Sequence, residues 1–233
     1  MKWKFWGPYN AEVDLAQSVA IFIDLLFAIV LTELLSSLGK RVWGPPQHGV
    51  TTTYMSHFAV AAAFTLVSWV AYHGTGNKHR FKIRFFNIQF FKFVVEILIV
   101  VVYFLMAANV IANPPSCRND VILGICAFVC YGLWDFIIKR ELNDTRYKDA
   151  WEDYAEKLTP HGAAWPKYEG IRVWMTWISL AVLVILSLLF LWLTSTSTIQ
   201  ILVGNYFLVC YVVIFRVVRD AKHRVSTSGA IAG

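Results

Sequence analysis

Charge is scarce in this chain. Asp, Glu, Lys and Arg make up 15% of its residues, against about a quarter in an ordinary soluble domain. Cysteine is also sparse. Cys126 and Cys130 share a helix face inside an apolar run, and Cys117 and Cys210 stand far from them. No Cys-x-x-Cys or Cys/His spacing is present, which argues against a zinc centre and leaves the cysteines as reduced, structural thiols. Several chemical signatures are missing. There is no GxSxG, no HExxH and no pair of catalytic aspartates with glycines, so the sequence offers no intramembrane enzyme. There is no TVGYG-like filter, and Lys92, the one lysine at membrane depth, lies near a span end, which disfavours a retinal pigment. No cofactor is implied.

What is present is apolar. Hydrophobic residues make up 58% of the 233 and aromatics 16%, with mean hydropathy +0.54. Such a chain reads as an all-α membrane protein, because in lipid the backbone must satisfy its own hydrogen bonds and no barrel-like alternation is seen. Six runs approach the roughly 20 residues needed to cross the hydrocarbon core. They lie at about 15–38, 54–74, 90–112, 120–138, 171–195 and 199–218. The first is too long for a signal-peptide core and reads as an anchor that stays. The net charge of +6 is expected in cytoplasmic connections. With both termini inside, 17 Lys and Arg fall on the cytoplasmic side and three (Lys40, Arg41, Arg118) outside. The whole of 1–233 is therefore expected to be one six-helix domain with cytoplasmic N and C termini.

The connections carry candidate sites of their own. The second loop holds Lys78, Arg80, Lys82 and Arg84. The fourth holds Lys139, Arg140 and Arg146, and its stretch at about 143–158 has Tyr147, Trp151, Tyr154 and Leu158 at helical spacing. An amphipathic helix is expected there, lying on headgroups or offered to a partner. Basic residues flanked by aromatics suit anionic membrane lipid, and they also suit a nucleotide or oligonucleotide regulator. The tail, 225–233, is small and polar and is expected to be disordered.

Ionisable residues within spans are costly and mark candidate functional positions. Asp24, Glu33, Lys92, Glu96 and Asp135 qualify. Lys92 and Glu96 are four apart and can pair with each other. Asp135 can snorkel to the interface or meet Lys139. On the first span, at about 100° per residue, Ser18, Leu25, Ile29, Thr32 and Ser36 fall within a stripe about 60° wide. Small polar residues at the ends and bulky apolar ones in the middle suit a pore lining with a hydrophobic constriction, and they suit helix–helix packing as well. Glu33 lies about 40° from Ile29 and can edge into the outer mouth. Asp24 points away from the stripe, towards a polar cluster of Trp69, His73 and Asn87 on the neighbouring spans.

The motif "FID" followed by "LLFAIVLT" resembles the phenylalanine–serine–aspartate motif of the transmembrane protein 175 family, endolysosomal potassium channels with shorter bacterial relatives. "WVAYH" closing the second span and Asn87 opening the third agree with that resemblance. It implies six spans, a homotetramer, a pore lined by the first span and permeant potassium or other monovalent cations. It also implies a bacterial inner (plasma) membrane location. Phe22 and Asp24 match the motif's ends, Ile29 the hydrophobic gate and Thr32 the polar pore residue beside it. The motif serine is Ile23 here, and the expected arginine is Ser18.

Three functions remain open on the sequence. The first is a homotetrameric cation channel, with Leu25, Ile29, Thr32, Ser36 and Glu33 along the path and Phe22, Asp24, Trp69, His73 and Asn87 as structural support. The second is a ligand-regulated pore-forming effector of a bacterial defence system, gated through the basic and aromatic loops. The third is a proton-coupled transporter, disfavoured by the lack of an internal repeat.

Overall fold

The computed structural model describes residues 8–43, 51–76, 88–112, 115–143, 171–193 and 198–229. Within them lie six helices: α1 Pro8–Val42, α2 Thr52–Gly76, α3 Ile88–Ile111, α4 Cys117–Asn143, α5 Ile171–Leu193 and α6 Thr198–Gly229. No strand occurs among the described residues. Five helices contain stretches long and apolar enough to cross a membrane, in α1, α2, α3, α4 and α6. In α5 the described apolar stretch is the shorter Trp174–Leu188. The chain is thus a multi-pass α-helical membrane protein. The expected helix at 143–158, with Arg146 and Trp151, lies outside the described residues, as do Lys78, Arg80, Lys82, Arg84 and Asn87. α6 runs on through 225–229, the first part of the segment expected as a disordered tail.

Local chemistry sets the helix starts. Thr51 caps α2, its hydroxyl accepting the Tyr54 amide at 3.1 Å. Ser116 caps α4 and receives the Asn119 amide. Asn109 then ties the α3 end to the α4 start, donating to the Ser116 carbonyl at 2.9 Å and accepting its amide at 3.2 Å. The end of the bundle where α1 stops and α2 starts is called upper, the opposite end lower.

α2, α3 and α4 form the centre. α1 packs on α2 and α3, α5 packs chiefly on α4, and α6 packs on α2 and α4. One core runs through them and includes Ile23, Phe27, Phe64, Tyr103, Phe128, Leu183 and Leu208. Aromatic contacts bind its middle, with Phe128 close to Phe64, Tyr131, Tyr211 and Phe215. Gly132 lets α5 approach closely, because a Cβ there would meet the Trp177 ring at 3.0–3.3 Å.

Candidate functional site

α1 has two faces. Ile23, Phe27, Val30 and Leu34 recur at helical spacing and are buried. Leu25, Ile29, Thr32 and Ser36 form the opposite, exposed face of the single chain. Leu25 is 56% and Ile29 48% exposed. Glu33 is half-buried on the flank of that face. The Ser18 side chain lies outside the described set. Phe22 is largely exposed and turns its ring towards Phe93, 6.3 Å between centroids.

Asp24 is held from the side. The Trp69 indole donates to its Oδ1 at 3.4 Å. The His73 side chain and Asn87 lie outside the described residues; of the cluster expected around Asp24, the Asp24–Trp69 contact is present. At the upper end of α1, Ser37 and Tyr54 hydroxyls meet at 2.7 Å, and the Arg41 guanidinium sits over the Tyr54 ring.

The lower interior differs from the sequence expectation. Asp135 does not reach the interface. It is fully buried, accepting from Arg219 of α6 and from the Thr176 hydroxyl of α5, each at 2.5 Å. Arg219 is itself buried, although the spacing places it in a cytoplasmic tail. The reason is that α6 extends past 218, which carries Arg219 into the bundle beside α4. Lys92 and Glu96 are both buried. Glu96 accepts from the Trp134 indole at 3.1 Å, and the Lys92 ammonium stands 6.0 Å above that ring. Lys139 is half-buried and Arg140 exposed.

Two further clusters escape a reading by sequence alone. At mid-depth the hydroxyls of Ser68, Tyr103 and Tyr131 form a closed triangle, with Tyr131 2.5 Å from each of the other two. Arg216 covers the Tyr131 ring at 4.6 Å. At the upper end, His57 of α2 meets Asp120 of α4 through Nδ1. Asn109 of α3 donates to Asp120 Oδ1 at 2.7 Å, and Asn205 of α6 lies 3.1 Å from His57 Nδ1. His57, Asp120 and Asn205 have no exposure. The available signal was position, because each polar residue sits at the same depth in a different span. Among the described residues, no group of three His, Cys, Asp or Glu has metal-site geometry. Compared with known proteins, the chain matches no family model, no curated protein and no solved structure.

Proposed function

We propose that the chain is the subunit of a homo-oligomeric cation channel, a tetramer of six-span subunits with both termini cytoplasmic. In this arrangement α1 lines the path in the plasma membrane. The observation that carries the reading is the two-faced α1. Its buried side is fixed in the subunit by Ile23, Phe27, Val30 and Leu34, while Leu25, Ile29, Thr32 and Ser36 stay uncovered. A lipid-facing surface has little use for Thr32 and Ser36. A pore lining does, with Leu25 and Ile29 as the constriction that gates by dewetting. Copies around an axis are needed because one such stripe encloses nothing. Glu33, on the flank, would form a ring of carboxylates that concentrates monovalent cations, potassium among them. The resemblance of "FIDLLFAIVLT" to the transmembrane protein 175 motif supports the same assignment of Ile29 and Thr32.

Asp135 argues against a relay that carries protons in step with a solute. It is bonded to Arg219 and Thr176 on two other helices. Such an ion pair ties helices together and is not a site open to a solute.

Potassium flux into liposomes tests the proposal. Ile29→Asn makes the constriction polar and is expected to raise flux about tenfold over wild type, equivalent to roughly 1.4 kcal/mol off the barrier. Flux that equals that of empty liposomes in both wild type and Ile29→Asn overturns the channel reading.

A further inference from the structure

The His57–Asp120 pair has a property that the packing of the bundle does not require. His57 Nδ1 faces two partners from two helices: the Asp120 carboxylate of α4 and the Asn205 side-chain nitrogen of α6. The orientation of Asn205 is fixed by its other bonds. Ser56 gives its hydroxyl hydrogen to the Thr53 carbonyl and so accepts from Asn205 Nδ2 at 2.9 Å. The Cys117 thiol donates to Asn205 Oδ1 at 3.4 Å. Nδ1 can therefore serve one neighbour at a time. Carrying a hydrogen, it donates to Asp120. Bare, it accepts from Asn205.

The other ring nitrogen is the second observation. His57 Nε2 is buried and has no hydrogen-bond partner among the described residues. With Asp120 ionised and one hydrogen on Nδ1, Nε2 carries none and the arrangement is tolerated. A second proton changes this. Asp120 Oδ1 already receives the Asn109 donor, so a carboxyl proton has to sit at Oδ2, facing Nδ1. Whether the proton stays on Asp120 or passes to the ring, a hydrogen then stands on Nε2 with no acceptor among the described residues. A buried unsatisfied donor is expensive, more so on a charged ring.

Among the described residues, the groups facing the pair are few. α3 and α6 present the uncharged Asn109 and Asn205, and α4 presents Asp120 and the Cys117 thiol. α2 adds Ser56, and Arg41 of α1 is engaged on the Tyr54 ring. Arg118 of α4 is exposed.

We propose that His57–Asp120 is a proton-binding site that loads on acidification of the upper aqueous phase and then releases the upper end of α2 from α4 and α6. Loading favours the opened junction, because water reaches Nε2 only there. The site stands apart from the α1 face and does not depend on whether the chain conducts ions.

Hydrogen exchange of the full chain in detergent micelles at pH 5 and pH 7.5, corrected for intrinsic rates, tests it. Amides in the upper turns of α2, α4 and α6 are expected to exchange about tenfold faster at the lower pH, while the lower turns stay unchanged. His57→Gln should abolish the difference. A chain keeping His57 but with His48, His73, His79, His161 and His223 all changed to Gln should retain it. Equal protection at both pH values overturns the proposal. So does a difference that persists in His57→Gln or vanishes in the chain that keeps only His57. If His57→Gln does not fold, the chain with His57 alone decides between these outcomes.

Discussion

Asp135 offers the sharpest test of how the bundle is held. Its carboxylate is fully buried and joins three helices, through Arg219 of α6 and Thr176 of α5. Asp135→Ala removes an anionic acceptor of Arg219, whose side chain is only 2% exposed. Breaking a buried ion pair from one side costs about 3–5 kcal/mol, because the remaining charge stays out of water. Replacing both partners by apolar residues of similar size, Asp135→Leu with Arg219→Met, removes the buried cation as well and is expected to stay within about 2 kcal/mol of wild type. The single and double variants therefore separate two accounts. If the pair matters mainly through its desolvated charges, the double variant is more stable than Asp135→Ala. If each residue contributes independently, the double variant is the least stable. Unfolding by a graded denaturing detergent, followed by tryptophan fluorescence, reads the difference. A loss below about 1 kcal/mol for Asp135→Ala, or strictly additive effects, refutes the reasoning.

Other perturbations follow from the same packing. Tyr103→Phe removes one hydroxyl from the Ser68–Tyr103–Tyr131 triangle and should cost about 1–2 kcal/mol in the same unfolding assay, with Tyr131→Phe nearly non-additive to it. Gly132→Leu drives a side chain into the Trp177 ring, where even a Cβ meets atoms at 3.0–3.3 Å, and should destabilise by about 1–3 kcal/mol. Trp177→Ala in the same chain should restore part of that loss, which an unfolding measurement of the double variant checks.

Much of the architecture is legible along the chain. Runs of apolar residues mark where helices lie, since a span must be apolar over its whole length. The two faces of α1 were readable too, from the 3.6-residue period that sets Leu25, Ile29, Thr32 and Ser36 on one side. Partnership was not readable. Asp135 has a basic neighbour one turn away in Lys139, and local spacing favours that pair. The structure joins it instead to Arg219, 84 residues further on. His57 lies 63 residues before Asp120, and nothing within its own helix announces the contact. Trp134 of α4 engages both Lys92 and Glu96, the ammonium over its ring and the carboxylate by its indole N–H, and no local spacing announces that partner.

The sequence by itself determined the class of molecule, the approximate helices and which α1 residues share a face. These are local properties, fixed by hydropathy and helical period. Only the tertiary structure decided which buried polar groups face one another, because that depends on the depth and rotation of each helix against its neighbours. At the lower end those choices put Asp135 between α5 and α6. At the upper end they brought His57, Asn109, Asp120 and Asn205 from four helices to one buried point.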